Sequence, residues 1–187
     1  MSSILRPEIA FRRLEEVDFP LLAAWLAEPH VHRFYQKRPI ALEEVAREYE
    51  SPARGQEPTI CSLAEIGGAP FAYLQCYRNA DYPEWADLIG AADGISADLF
   101  IGDPACLHRG LGQAALSEYL GQVAFAAYPG ERCVYIAHEG ATPPRFDDRN
   151  RSAFAGCACS RKMAWRWCCS GWTGRGRRRR RSDAMPP

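Results

Sequence analysis

The stretch DLFIGDPACLHRGLGQAAL, residues 98–116, decides the fold of this chain. It opens with the alternation of a β-strand, crosses a Gly-Asp-Pro turn, and meets Gly110 and Gly112 where an apolar helix begins. Unpaired N–H groups make a helix N-terminus partly positive, and glycines let an anion approach it closely. The pattern therefore indicates a phosphate cradle to which Arg109 adds a charge. A plain turn before a helix is the alternative interpretation.

This motif differs from two better-known phosphate-binding loops. A Walker loop needs Gly-Lys-Ser or Gly-Lys-Thr, and neither follows here. A Rossmann fingerprint needs a third glycine where Ala115 stands. The meaning of the cradle therefore depends on the elements around it.

Those elements predict an α/β fold in the order β-α-α-β-β-β-α-β, antiparallel at first and with a parallel crossover near the end. A helix is predicted from Asp18, as its cap, to Val31. Residues 78–94 are expected to form a long polar loop. The other predicted strands and helices are EIAFRRL, ALEEVAREYES, TICSLAEI, APFAYLQCY, ISADLFIG, GLGQAALSEYLGQVAF and RCVYIA.

Alternation with period two predicts which side chains share a face of the sheet. On the strand before the polar loop, one face should carry Phe71, Tyr73, Gln75 and Tyr77. On the next strand, Asp98 and Phe100 should share one face and Leu99 and Ile101 the other. The long helix should pack through Leu111, Ala115, Tyr119 and Val123.

Composition indicates a soluble protein with one core. Of its 187 residues, 47% are hydrophobic and 25% charged, and we expect a cytoplasmic protein because no leader or membrane-length apolar stretch is seen. The net charge of zero hides an acidic body, −9 over residues 1–150, and a basic tail, +9 over residues 151–187. An acidic body favours a cationic small substrate or simple solubility. Cys61, Cys76, Cys106 and Cys133 should be reduced core residues.

The β-α-α-β-β opening, followed by a strand, x-x-G-x-G and a long helix, resembles the acetyl-coenzyme A site of the GNAT acetyltransferases. More narrowly, residues 56–113 are similar to aminoglycoside 6'-N-acetyltransferases, through QEPTICSLAEIGGAPFAYLQCY, the Trp-bearing loop and GISADLFIGDPACLHRGLG. WLAEPHVHRFYQ is similar to the family's substrate-side helices. The resemblance covers about residues 8–136 and implies a GNAT fold, a mixed central sheet flanked by helices, with C-terminal strands missing or altered.

The resemblance implies direct transfer of acetyl from acetyl-coenzyme A to a primary amine, without a metal. An ammonium group must lose a proton before it attacks, and a nearby carboxylate can accept that proton. Asp98 matches the family's aspartate on the strand before the glycine loop; pairing with a neighbouring base is its alternative role. Backbone N–H groups near Phe100 and Ile101 would hold the pantetheine arm. The cradle would comprise His108, Arg109, Gly110, Leu111, Gly112, Gln113 and Ala114.

An aminoglycoside carries several ammonium groups, so its pocket should be acidic with aromatic walls. The candidate acids are Glu57, Asp87 and Asp93. The candidate walls and hydrogen-bond donors are Tyr35, Tyr73, Gln75, Tyr77 and Trp85. Each of these residues could instead serve the core or the surface. The four histidines have no spacing typical of metal ligands.

The resemblance fails in the tail. Phe154 stands where the family has a proton-donating tyrosine, and CACSRKMAWRWCCSGW has no clear strand or helix period before RGRRRRR. We interpret residues 1–150 as a GNAT domain and residues 151–187 as a disordered Cys/Trp/Arg-rich tail. We interpret the tail as the product of a frameshift. The chain would then be inactive if the missing C-terminal strands are essential.

Other interpretations remain open at this stage. The arginine run could bind nucleic acid, and Cys157, Cys159, Cys168 and Cys169 could bind zinc, although their spacing is poor for a tetrahedral site. The acceptor could also be another amine, such as a siderophore precursor. No membrane partner is expected, and the chain should be a monomer or a homodimer.

Overall fold

The strands of the protein form one seven-stranded sheet. The computed structural model describes residues 7–36, 38–137, 155–158 and 164–168. The strands lie in the order β1-β2-β3-β4-β5-β7-β6. They are β1 (Ile9–Arg13), β2 (Ile60–Ile66), β3 (Ala69–Arg78), β4 (Ile95–Ile101), β5 (Cys133–Ala137), β6 (Ala155–Ala158) and β7 (Ala164–Cys168).

Six α-helices connect these strands within the described residues. They are α1 (Phe19–Ala27), α2 (Pro29–His32), α3 (Leu42–Ala53), α4 (Pro83–Ile89), α5 (Leu111–Tyr119) and α6 (Phe125–Ala127). A π-helical segment, Leu120–Ala124, joins α5 to α6. β1 to β4 pair antiparallel with their neighbours, and α5 then carries the chain across to β5, which pairs parallel with β4. The predicted α/β fold with a mixed sheet is confirmed.

Each face of the sheet has its own core. Leu74, Cys76 and Ala97 pack against Leu111, Ala115 and Tyr119 of α5 on one face. On the opposite face, Cys61, Leu63, Tyr73 and Phe100 pack against apolar residues of α1 and α3. The sheet is thus covered on both sides, and the polar residues of the second face lie where this helical cover ends.

Three local predictions need correction. Asp18 does not cap α1, because its carboxylate accepts hydrogen bonds from Arg12 and from the Glu15 N–H instead. Phe71 packs with the α5 core rather than beside Tyr73, because the β2–β3 register shifts after Ala64 and leaves Phe71 as the extra residue of a bulge. The predicted polar loop contains helix α4.

The tail contributes two strands that the sequence analysis did not expect. β7 pairs antiparallel with β5, and β6 pairs with β7. In the sequence AWRWC of β7, two tryptophans alternate with smaller or charged residues, a pattern typical of a strand. The rest of residues 138–187, including Phe154, the arginine run and the side chains of the four candidate zinc cysteines, lies outside the described residues. Disorder and a frameshift there stay predictions.

Candidate active site

Asp98 is part of a hydrogen-bonded group of three side chains on the sheet face that carries Phe100. Gln75 lies directly opposite Asp98 in the β3–β4 register, and its Nε2 donates to Asp98 Oδ2 at 2.8 Å. The Oε1 of the same amide accepts a hydrogen bond from the Tyr73 hydroxyl at 2.8 Å. The structure therefore brings together three residues that the sequence analysis selected.

The surroundings of Asp98 favour a basic carboxylate. Burial raises the pKa of Asp98, and the hydrogen bond from Gln75 offsets part of that rise. Within the described residues, no ion pair involves Asp98. A carboxylate with a raised pKa accepts a proton more readily near neutral pH than an ordinary surface aspartate does. Pairing with a base, the alternative role, is not what the described residues show.

An aromatic wall lies on one side of this group. The Phe100 ring stacks on Tyr73 at a centroid distance of 5.2 Å, and the Tyr35 ring meets Phe100 edge-on at 4.9 Å. Trp25 packs edge-on against Phe100 from α1. A Cβ on Gly102 would lie 1.9 Å from the Trp25 ring, so this glycine is what allows the indole to rest on the end of β4. The sequence analysis selected neither Trp25 nor Gly102, since only the folded chain brings them together.

Trp85 of α4 lies on the other side of the group. Its Nε1 donates to Ser96 Oγ at 2.8 Å, and Ser96 shares the face of Asp98, two residues earlier on β4. Ser96 Oγ in turn donates to Asn79 Oδ1 at 2.7 Å, which fixes the hydroxyl. Two aromatic elements, one from α1 and its neighbours and one from α4, therefore flank Gln75 and Asp98.

The candidate acids lie at the margin of this surface. Glu57 is exposed on the loop before β2, and Asp87 is exposed on α4. Asp93 precedes β4, and its Oδ1 accepts a hydrogen bond from the Tyr135 hydroxyl at 3.1 Å. Tyr77 packs edge-on against Tyr82 at 4.9 Å, and burial followed by the charge of Asp98 raises its pKa. Within the described residues, no hydrogen bond or ion pair joins Glu57 or Asp87 to the Gln75–Asp98 pair.

The glycine-rich turn has the backbone shape of a cradle. His108 and Gly110 have positive φ values of 57° and 72°, and α5 begins directly after them. The first hydrogen bond of α5 runs from Ala114 N–H to Gly110 O, at 3.2 Å. Helix geometry therefore leaves the N–H groups of residues 111–113 without a partner within the helix. His108 and Arg109 are exposed there, whereas the Leu111 side chain is buried in the core and offers only its backbone. Gln113 and Ala114 are half-buried in the first turn of α5.

The two glycines of the motif have different surroundings. A Cβ on Gly110 would meet nothing within 4 Å, so this position opens outward and needs glycine for its left-handed conformation. A Cβ on Gly112 would lie 3.3 Å from Ile101 Cδ1 and 3.7 Å from Leu99 Cδ2. Gly112 therefore allows α5 to pack closely on β4, and its contact with an anion stays a prediction.

Strands β4 and β5 separate beside the cradle. Among the described residues, they pair only at Ile95 with Val134 and at Ser96 with Tyr135, although β4 continues for five more residues. Backbone N–H and C=O groups point to opposite edges of a strand at successive residues. Gly102 N–H donates to Phe71 O of β3, so the backbone groups of Phe100 also point to β3, and those of Ile101 point to the β5 side. A free strand edge of this kind can pair with an extended amide chain such as pantetheine. His30 Nε2 lies 2.9 Å from Ile101 O, a contact that the sequence analysis missed.

The comparisons with known proteins agree with this geometry. Residues 15–139 match the family described as "Acetyltransferase (GNAT) domain". This chain belongs to the GNAT acetyltransferase family. The predicted enzyme class, an acetyl-coenzyme A-dependent N-acetyltransferase, is thereby confirmed.

Solved structures share the fold of this acetyltransferase at low identity. Aminoglycoside acetyltransferase AAC(6')-Ib in complex with coenzyme A has a TM-score of 0.64 and 18% identity, over 87% of this chain and 95% of that chain. An uncharacterised protein from Bacillus halodurans has a TM-score of 0.64 and 18% identity, over 87% and 84%. An acetyltransferase from Thermus thermophilus has a TM-score of 0.59 and 19% identity, over 85% and 94%. At such identities these likenesses show the fold.

Three further observations concern the described part of this acetyltransferase. Cys61, Cys76 and Cys106 are free thiols, as expected, although Cys106 is only partly buried, and Cys133 lies in the core. No three His, Cys, Asp or Glu side chains in this part are grouped as metal ligands would be. No helix in it is both long and apolar enough to cross a membrane.

Proposed function

We propose that this acetyltransferase N-acetylates a primary amine of an aminoglycoside, with acetyl-coenzyme A as the acetyl donor. The observation that carries the proposal is the position of Asp98, a half-buried carboxylate with a raised pKa, between aromatic walls and where β4 separates from β5. Support for the acceptor class comes from the shared fold with AAC(6')-Ib, which has been crystallised with kanamycin. The acidic rim suits a polycation.

Each part of the site has a task in this proposal. Acetyl-coenzyme A supplies a thioester, the activated form of the acetyl group. Asp98 accepts the proton that the acceptor ammonium must lose, directly or through a water molecule. Tyr35 and Trp85 flank the amine as aromatic walls, which attract cations over their faces. Glu57, Asp87 and Asp93 attract the remaining ammonium groups from the rim.

The donor would be held by backbone groups. The N–H groups at the start of α5 and the side chains of His108 and Arg109 would bind the pyrophosphate. The β5-facing backbone of Ile101 would pair with the pantetheine amides. The open space at Gly110 fits this use, since a Cβ there meets no other atom within 4 Å.

The acceptor class is tested by turnover with a panel of amines. The full chain is incubated with acetyl-coenzyme A and either kanamycin, a hydroxylysine-type siderophore precursor or lysine, and thiol release and the mass of each product are recorded. We expect one acetyl group on kanamycin and little on the other two. Acetylation of the siderophore precursor alone would replace the acceptor but leave the enzyme class intact, and thiol release without any acetylated product would contradict amine transfer.

The cradle is tested by two substitutions that differ only in charge. Gly110→Asp and Gly110→Asn place side chains of one shape at the open position, and both residues tolerate the left-handed region better than most. We expect Gly110→Asp to bind acetyl-coenzyme A about tenfold more weakly than Gly110→Asn, because a carboxylate repels the pyrophosphate. Calorimetric titration measures both affinities. Equal affinities would place the pyrophosphate elsewhere.

A further inference from the structure

We propose that Tyr73 is a positioning residue, which acts through Gln75 to fix the oxygen of Asp98 that takes the proton. This inference rests on the proposed function of Asp98 as the base. It gives Tyr73 and Gln75 a role other than the substrate contact expected from the sequence. The three side chains form one chain of hydrogen bonds, from Tyr73 Oη to Gln75 Oε1 and from Gln75 Nε2 to Asp98 Oδ2, each of 2.8 Å.

The Tyr73 hydroxyl donates its hydrogen bond to Gln75. Tyr73 is 0% exposed, and burial raises its pKa well above its ordinary value, so the phenol keeps its proton. Its oxygen also lies 3.0 Å from Cys61 Sγ. Sulfur is a weak acceptor, whereas an amide oxygen is a good one, so the proton belongs on the bond to Gln75.

The second step concerns the Gln75 amide. An amide can turn by half a rotation and exchange its oxygen and nitrogen at little cost when nothing holds it. A donor fixed on one side selects the orientation that places oxygen toward Tyr73 and nitrogen toward Asp98. The reverse orientation would face two oxygen atoms toward each other at Asp98 and leave the Tyr73 hydroxyl facing an N–H donor. Tyr73 and the Asp98 carboxylate therefore favour the same orientation of the amide, and the Tyr73 hydroxyl holds the amide in it from the far end.

The third step concerns Asp98 itself. The bond from Gln75 lowers the pKa of Asp98, against the larger effect of burial, and occupies Oδ2. Within the described residues, no hydrogen bond engages Oδ1. Oδ1 is thus the oxygen that is available to an incoming ammonium group. The fully buried Tyr73 acts from behind the site, because a ligand in front of Asp98 cannot reach it.

Among the described residues, the titratable groups that interact with Asp98 are phenols, which are neutral. Tyr35, in the turn after α2, and Tyr77 on β3 interact electrostatically with Asp98, and burial raises the pKa of both phenols. From α4, the side toward this face carries Trp85, while Glu84 and Asp87 are exposed. The Gln75 amide is therefore the group that opposes the effect of burial on Asp98.

The test compares Tyr73→Phe, Gln75→Met and the double variant. Loss of the N–H donor raises the pKa of Asp98, so the acidic limb of the kcat/KM profile moves to higher pH. We expect kcat/KM at acidic pH to fall about three- to tenfold in Gln75→Met and somewhat less in Tyr73→Phe, with the curves converging at high pH. The double variant should match Gln75→Met, because Tyr73 has nothing left to orient. Tyr49→Phe, a buried phenol 5.6 Å from Tyr73, is the matched control and should leave the limb unchanged.

A second readout separates this inference from the proposed function. The carboxyl carbon of Asp98, assigned through Asp98→Asn, is titrated by NMR without acetyl-coenzyme A or acceptor. A rise of its pKa in Tyr73→Phe but not in Tyr49→Phe supports the positioning role. If the pKa of Asp98 rises in Tyr73→Phe but the kcat/KM profile does not shift, Tyr73 positions Asp98 and Asp98 is not the base. An unchanged titration in Tyr73→Phe would overturn the inference. Should Tyr73→Phe not fold, fast exchange of the Gln75 amide protons in the parent would overturn it as well.

Discussion

Asp18 and Asp98 are the same residue in two different kinds of surroundings. The Asp18 side chain is 8% exposed and accepts both ends of the Arg12 guanidinium, at 2.6 and 2.8 Å. Burial alone would raise the pKa of Asp18, but the Arg12 hydrogen bonds and the Glu15 N–H lower it. Among the described residues, the hydrogen-bond partner of Asp98 is a neutral amide, and the pKa of Asp98 is raised. A carboxylate paired with a cation stabilises the fold, whereas one without a cation suits the proton transfer that we propose for Asp98.

The difference follows from where each residue lies. Asp18 lies where β1 meets α1, and Arg12 there also donates to Glu65 of the neighbouring strand at 2.6 Å. That arrangement joins three chain segments through charge. Asp98 lies where the helical cover of its sheet face ends, between aromatic residues that carry no charge. In the described part of the chain, ion pairs therefore lie at the β1–α1 junction and none lies at the proposed reaction surface.

The largest effect that we expect from the difference between Asp98 and Asp18 is a loss of turnover when Asp98 is replaced. Asp98→Asn keeps the shape and removes the base, which typically lowers the rate by about 10²–10⁴-fold. The loss should shrink as pH rises, because free amine then forms without help. A pH–rate profile of kcat with the identified acceptor measures this. Asp87→Asn, an exposed acid on α4, is the control and should change KM more than kcat. A loss that is uniform across pH would make Asp98 a binding residue.

A smaller effect is expected for Asp18, and on stability. Asp18→Asn leaves the Arg12 guanidinium with only Glu65, and should lower the free energy of unfolding by about 1–2 kcal/mol, at the low end of charged hydrogen bonds because Arg12 is partly exposed. Since the pKa of Asp18 is lowered by folding, its contribution is fully present above about pH 4, the unfolded value, and is lost as pH falls through the folded value. Urea denaturation at several pH values measures it.

The control for this second test is another arginine–carboxylate pair. Glu44→Gln removes the partner of Arg38, which lies 2.6 Å away but with both side chains exposed. Exposed pairs of this kind add little, so Glu44→Gln should change stability far less than Asp18→Asn. Equal effects of the two substitutions would mean that burial does not strengthen the Arg12–Asp18 ion pair. Asp18 would then not be an example of a buried carboxylate that stabilises the fold through a cation.

Local sequence patterns predicted the part of the site that depends on alternation. Period two placed Gln75 on its face of β3 and Asp98 on its face of β4, and the fold then brings the two to facing positions of adjacent strands. Phe71 broke the same rule because a bulge adds one residue, and a bulge has no local signature here. Helix α4 was missed because its seven residues are too short for a helical period to stand out.

Other features could not be found from the sequence, since they arise from long-range contacts. The partner of Asp18 is Arg12 rather than the helix N–H groups, because β1 and α1 place a guanidinium nearer than the helix end. The role of Gly112 depends on Ile101, which only the packing of α5 on β4 brings within 3.3 Å of a Cβ. The orientation of the Gln75 amide depends on a phenol two residues away on the same face.

The smallest expected effect is on stability, and its sign is opposite to that expected for Asp18→Asn. Asp98→Asn should raise the free energy of unfolding at neutral pH, since a buried charge without a cation is replaced by a neutral amide. Folding raises the pKa of Asp98, so the parent is destabilised above that folded value, and the difference disappears as pH falls below about 4, the value in the unfolded chain. Urea denaturation of both proteins between pH 4 and 8, without acetyl-coenzyme A, measures the gain. A loss of stability at neutral pH would mean that the Gln75 hydrogen bond outweighs burial, and Asp98 would then resemble Asp18.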